Sequence, residues 1–114
     1  FYANEDGYLH LQLFQRSCDL FLGVPYNTAQ DSLFLCMMSQ VTGRKPGTFI
    51  HTFGDAHIYM NHVEQVKLQL ERQPKEQPKL FLNLNIKSIF DFEFSDLVLY
   101  DYDPLPHIKG AVSI

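Results

Sequence analysis

Two short stretches gather the side chains best able to meet a small charged ligand. In Arg16-Ser17-Cys18-Asp19 a guanidinium, a hydroxyl, a thiol and a carboxylate follow one another, inside an otherwise apolar run that continues through Leu22, Gly23, Pro25 and Tyr26 to Asn27. A guanidinium fork beside a hydroxyl can take up phosphate or carboxylate oxygens, although a surface arginine is often only a solvated charge. Asp19 can accept hydrogen bonds from a ligand or from loop amides. In Gly54-Asp55-Ala56-His57-Ile58-Tyr59 the imidazole and the phenol stand two positions apart. On a strand both project from one face and can serve one hydroxyl; read alone, the pair can also be half-buried and satisfied by backbone.

Other reactive side chains carry less. Zinc sites need three or four convergent ligands with supporting groups, and the spacing of His51 and His62 specifies none. No metal is expected. Cys36 falls on a helical pattern among Phe34, Leu35, Met37 and Met38, where a buried thiol is inert, and Cys18 stands at a strand end with no evident base. Neither reads as a nucleophile.

The elements that must position these groups follow from periodicity. Tyr8 to Gln15 alternates polar and apolar residues after the turn Asn4-Glu5-Asp6-Gly7, which predicts a strand over about 8–17 with one face buried. Leu33, Phe34, Met37, Met38 and Val41 recur at spacings of three and four, the apolar face of a long helix that Gly43 ends. Asn27 with Gln30 resembles the cap and third residue of that helix, so Asn27 also has a purely structural explanation. Thr48 to Phe53 is rich in β-branched and aromatic residues and reads as a second strand, and Gly54 then marks a bulge or a close backbone approach. Asn61 and Glu64 repeat the capping signature ahead of a helix with Val63, Val66 and Leu70 on its apolar face, ended by Pro74. Leu80–Leu84 and Phe92–Tyr102 read as strands, and Pro104 and Pro106 mark an extended tail. Strands and helices alternate too irregularly for a doubly wound parallel sheet. The fold class is α+β.

Composition bounds the partners. The 114 residues suffice for one domain at most, and 46% apolar with 19% charged residues describes an ordered globular chain. A net charge of −4 argues against a nucleic-acid surface, which needs clustered Lys and Arg, so any bound anion must meet local positive charge. No apolar run approaches the roughly 20 residues that span a bilayer, and no membrane association is expected. Two cysteines without metal or disulfide spacing suit a reducing, cytoplasmic compartment. The chain opens on Phe-Tyr directly into a strand-like pattern and reads as a piece of something longer.

Taken in order, QRSCDLFLGVPYN, GTFIHTFGDAHIYMNH and YDPLPHIKGAVSI resemble the C-terminal half of thymidylate synthase over essentially the whole chain. The resemblance implies a large mixed sheet packed by long helices, with residues 1–114 forming the C-terminal part of a single domain. It implies a cytoplasmic homodimer that methylates deoxyuridine monophosphate (dUMP) to thymidylate, with methylenetetrahydrofolate as carbon donor and reductant. On the same basis Arg16 and Ser17 hold the nucleotide phosphate, with Cys18 in the phosphate-binding strand. Asp19 lies between nucleotide and folate, Asn27 reads the uracil edge, and His57 and Tyr59 bond the sugar hydroxyl. Leu22, Gly23 and Tyr26 lie on the folate side, and the terminal segment that includes Ser113 folds over the site. The nucleophilic cysteine is expected in a Pro-Cys-His segment upstream of Phe1, so the chain by itself is expected to be an inactive fragment.

Several residues depart from the family pattern. Tyr26 replaces a Phe, Gln30-Asp31 replace a small residue and a Tyr, and Gly110-Ala111-Val112-Ser113-Ile114 replaces an Ala-Pro-Val-Ala ending, with a looser closure expected. Two other readings stay open: a uracil-specific hydroxymethylase of the same superfamily, and a fragment that only binds nucleotide or pairs with another chain. Cytosine-specific hydroxymethylases carry Asp at the position of Asn27, which argues against that variant.

Overall fold

The computed structural model describes residues 1–112. Their order is β1 (Tyr2–Ala3), β2 (Tyr8–Asp19), α1 (Gly23–Val41), β3 (Lys45–His57), α2 (Val63–Leu70), β4 (Lys79–Leu82) and β5 (Leu97–Tyr100), with single 3-10 turns at Met60–His62, Ile89–Asp91 and Phe94–Asp96. β1, β2 and β3 form a mixed sheet, in which β1 runs antiparallel to β2 and β3 runs parallel to it. β4 and β5 form a separate antiparallel ribbon. The class is α+β, as the sequence suggests. The described residues form a three-stranded sheet and a two-stranded ribbon, with one long helix and one of eight residues, which is compatible with a C-terminal portion of the larger mixed sheet expected.

β2 alternates as its sequence demands. Leu9 and Leu11 point to one face and pack on Leu35 of α1, with Met38 and Phe49 completing the cluster. On the other face Phe14 and Ile50 remain exposed. Joining parallel strands requires a long crossover, and α1 supplies it. This single β-α-β unit is more parallel in character than the irregular alternation of elements suggested.

α1 begins four residues before the expected cap. Its first turn opens at Gly23 and contains Pro25, a position where proline costs little because the first turn's N–H groups lack intrahelical partners. Asn27 is therefore inside the helix and does not cap it. Ahead of the helix, Asp19 Oδ1 accepts from the amides of Phe21 (3.1 Å) and Leu22 (3.3 Å). At the far end Gly43, with φ +66°, lets the chain turn back so that Arg44 N donates to Ser39 O at 2.8 Å. The buried stripe runs through Leu35 and Ser39 rather than Phe34, which is exposed and meets the ring of Phe1. The Ser39 hydroxyl is satisfied by Leu35 O at 2.7 Å.

β3 extends well beyond Thr48–Phe53, and its irregularity lies elsewhere than predicted. The register slips between Leu9 and Leu11, where β3 carries the extra residue, and His10 Nδ1 accepts the Thr48 amide at 2.9 Å. Gly54 stays inside the strand and marks a close approach: a Cβ there would stand 2.7 Å from Arg16 O. Only glycine lets β3 lie against β2 at that point.

The remainder is built from short pieces. α2 follows a 3-10 turn, with His62 rather than Asn61 at its cap position, and ends at Leu70, before Pro74. Leu70 is exposed, while Val63 and Val66 are partly covered. The strand expected over 80–84 is confined to Lys79–Leu82, and the one expected over 92–102 to Leu97–Tyr100. Side chains explain the shortening: Ser88 Oγ accepts from Phe90 N, and Asp96 Oδ2 accepts from Glu93 N, closing turns where a ladder would otherwise run.

Candidate functional site

The two parallel strands end side by side. Ser17 pairs with Asp55, Cys18 with Ala56 and Asp19 with His57, and Leu20 N donates to His57 O at 3.0 Å. In α/β units the carboxyl ends of parallel strands form the natural ligand crevice, with the following helix start beside them. Here that helix start carries Gly23, Tyr26 and Asn27. A Cβ on Gly23 would lie 3.6 Å from both Asn27 Oδ1 and Asp19 Cβ, so Asp19, Gly23 and Asn27 converge on one point.

The strand-end residues divide by face. Arg16 and Ser17 are both exposed, and alternation sends them to opposite sides of β2. Among the described residues β1 pairs only with Leu9 and His10, so the later part of β2 is an open edge on that side. Among the described residues no carboxylate forms a salt bridge with Arg16. Cys18 is fully buried, with its Sγ donating to Gln15 O at 3.1 Å, so its thiol cannot touch a ligand. Cys36 is half-buried, and burial pushes its pKa up, which keeps it a protonated thiol at neutral pH.

His57 and Tyr59 do meet, although not on a shared strand. β3 ends at His57, and Tyr59 continues in extended conformation before the 3-10 turn. Their rings stand edge to face with centroids 5.0 Å apart. His57 Nδ1 lies 3.1 Å from Asp55 O, which assigns its proton to Nδ1 and leaves Nε2 free to accept from a hydroxyl. Asp19 uses Oδ1 for the loop amides, so the loop-satisfying reading describes that oxygen, and Oδ2 is the one available to a ligand.

Beside the strand ends lies an apolar groove. Its lining includes Leu20, Leu22, Tyr26 and Ile58, together with Leu105 and Ile108 from the tail. Leu22 and Tyr26 thus share a groove, with the Tyr26 ring largely exposed. The tail is anchored from within: His62 is fully buried against Phe21 and Tyr59, and its Nε2 donates to Ala111 O at 2.7 Å. Gly110 sits so close that a Cβ would meet Phe21 at 2.7 Å. The glycine allows this close approach. Ser113 lies outside the described residues.

A family model described as thymidylate synthase matches residues 1–114 of the chain. The chain belongs to the thymidylate synthase family. The family is one of nucleotide-methylating enzymes that use methylenetetrahydrofolate as cosubstrate. Among the described residues no group of three or more His, Cys, Asp or Glu side chains converges as for a metal ion, and no helix is long and apolar enough to cross a membrane.

Three residues of this thymidylate synthase family chain escaped the sequence reading as members of the site. Gln15 Nε2 donates to Asn27 Oδ1 at 3.0 Å and to Ser17 O at 2.9 Å. Gln15 Oε1 accepts from His51 Nε2 at 2.7 Å, and His51 Nδ1 faces Thr28 Oγ1 at 3.1 Å. One signal was present in the sequence. Leu9, Leu11 and Leu13 occupy the inward positions of β2, and Gln15 then places an amide where the alternation calls for another apolar residue.

Proposed function

We propose that the protein to which this chain belongs is a thymidylate synthase proper, which converts dUMP to thymidylate with methylenetetrahydrofolate. The observation that most supports this reading is the convergence of Asp19, Gly23 and Asn27 beside the paired strand ends that carry Arg16, Ser17 and His57. Arg16 and Ser17, both exposed near the end of β2, bind the phosphate, which lets a chain of net charge −4 hold a dianion locally. Asn27 presents donor and acceptor to the uracil edge. His57 Nε2 and the Tyr59 hydroxyl meet the sugar hydroxyl.

The apolar groove at Leu22 and Tyr26 fits a flat heterocyclic cosubstrate, with Asp19 Oδ2 and the loop at Gly23 at its nucleotide side. When bound, that cosubstrate supplies the one-carbon unit and the hydride. The tail, clamped at His62, covers the groove and excludes water. The reaction needs a nucleophilic thiolate, and neither the buried Cys18 nor Cys36, whose pKa burial raises, is placed to supply it. Exposed Phe14 and Ile50 on the uncovered sheet face support a homodimer. The free cysteines suit a cytoplasmic setting.

The test is a turnover assay of the full-length protein with dUMP and methylenetetrahydrofolate, following dihydrofolate formation. A hydroxymethylase would release tetrahydrofolate and a hydroxymethyl product instead, and that outcome refutes the reading. Asn27→Asp in the same protein is expected to shift preference from uracil toward cytosine nucleotides, because the side chain loses its donor. Unchanged relative turnover of the two would refute the base-reading role of Asn27.

A further inference from the structure

An asparagine amide that is free to rotate by half a turn can read two opposite hydrogen-bonding edges, so selectivity requires something that stops the rotation. The contacts around Asn27 admit one assignment of donors and acceptors. The Ser17 carbonyl can only accept, so the Gln15 atom 2.9 Å from it is the nitrogen Nε2. That nitrogen also donates at 3.0 Å to Asn27, whose facing atom must then be Oδ1. The other Gln15 atom is an oxygen and needs a donor, which His51 provides through Nε2–H at 2.7 Å. His51 Nδ1 then carries no proton and accepts from the Thr28 hydroxyl at 3.1 Å. The His51 ring is itself wedged between Phe49 and Phe53, with centroids at 5.4 and 4.5 Å.

We infer that Gln15, held by His51, is the specificity-determining residue behind Asn27: it fixes the amide so that Nδ2 donates and the second lone pair of Oδ1 accepts toward the crevice. This inference rests on the nucleotide reading proposed above. An edge of that polarity complements a ring that offers a carbonyl beside an N–H, as uracil does. Cytosine offers an amino group beside a bare ring nitrogen, and it matches only the reversed amide. Reversal would set Asn27 Nδ2 against Gln15 Nε2, two donors face to face, inside a half-buried pocket where an unmade hydrogen bond is costly. The discrimination therefore originates one residue behind the group that touches the base. Gln15 and His51 are positioning residues, and neither needs to contact the nucleotide.

The experiment measures dissociation constants for dUMP and dCMP in the full-length protein and takes their ratio. His51→Phe keeps the ring packing but removes the donor, and it is expected to lower the dCMP-to-dUMP ratio by about tenfold or more, within the range that such unpaired groups produce. His51→Gln, whose amide nitrogen can take the place of Nε2, is expected to restore the ratio. Gln15→Glu turns the lock round: the oxygen that replaces Nε2 is an acceptor, the Asn27 amide must donate to it, and preference is expected to move toward dCMP. If His51→Phe and Gln15→Glu weaken both nucleotides equally and leave the ratio unchanged, the residues are merely structural and the inference fails while the nucleotide reading stands. If the unaltered protein binds dUMP no better than dCMP, both fall together.

Discussion

From Tyr8 to His57 the chain builds two long parallel strands and a 19-residue helix around one leucine cluster, whereas among the described residues from Met60 onward no element exceeds eight residues and the ties are largely polar. In the first region, position is set by packing: Leu35 is 3% exposed between Leu9 and Leu11. In the second, individual hydrogen bonds hold the path. Arg72 Nη2 donates to Pro106 O at 2.6 Å, Lys75 pairs with Asp103 at 2.6 Å, and His62 holds Ala111. A packed frame suits side chains that must stay in register with a ligand. A path stitched by single polar pairs opens locally more readily than a packed core does.

The contrast can be broken most severely at the core. Leu35→Ala should cost about 2–5 kcal/mol, the range for a buried leucine replaced by alanine. Thermal unfolding of the full-length protein reads this directly, and an unchanged midpoint would show that the cluster does not carry the frame. Arg16→Ala sharpens the contrast from the other side. Its guanidinium is exposed, so nucleotide binding should weaken by about 1.5–3 kcal/mol, as for a lost charge-assisted hydrogen bond, while the unfolding midpoint stays put. Calorimetric titration with dUMP measures the loss, and an unaltered dissociation constant would remove Arg16 from the phosphate site.

The smallest effect belongs to the second region. The Glu93 amide, with help from the Asn83 side chain, holds the Asp96 carboxyl below the usual aspartate range. A pKa lowered by folding stabilises the native state above the unfolded value, and that contribution is lost as pH falls through the folded value. Acidification into the range below ordinary aspartate titration should therefore lower the protection of the Glu93 amide, taken relative to its intrinsic exchange rate at each pH, and leave amides between β2 and β3 protected. Equal loosening of both would show that the two regions melt as one.

Legibility in the sequence follows the same divide. Alternation in β2 and the three-and-four spacing in α1 report burial against one core, so strand and helix could be placed, and Gly43 as the helix end. The buried stripe was set one position off, on Phe34 in place of Leu35, because a helix rich in apolar residues all round carries little directional signal. Asn27 reads as a cap because residue types alone cannot tell that Asp19 has already taken the amides ahead of the helix. In the second region Phe92–Tyr102 looks extended, yet Asp96 and Ser88 redirect their backbone through single side-chain bonds that no periodicity records. Local motifs made Arg16, Ser17, Asp19, His57 and Tyr59 visible. The Gln15–His51 contact joins residues 36 positions apart and became visible only once β2 and β3 were paired.

The parallel pairing of β2 with β3 also bears on the order of assembly. Every contact of that ladder spans the whole of α1, so no hairpin can nucleate it, and the chain must close a long loop before the first strand pair rewards it. Helix formation is local and fast by comparison. The crevice therefore comes into being late, when β3 docks on a β2–α1 pair already collapsed around Leu35. During synthesis, a ribosome that pauses before Gly54 emerges would hold the chain with its helix made and the crevice between its strand ends still unformed.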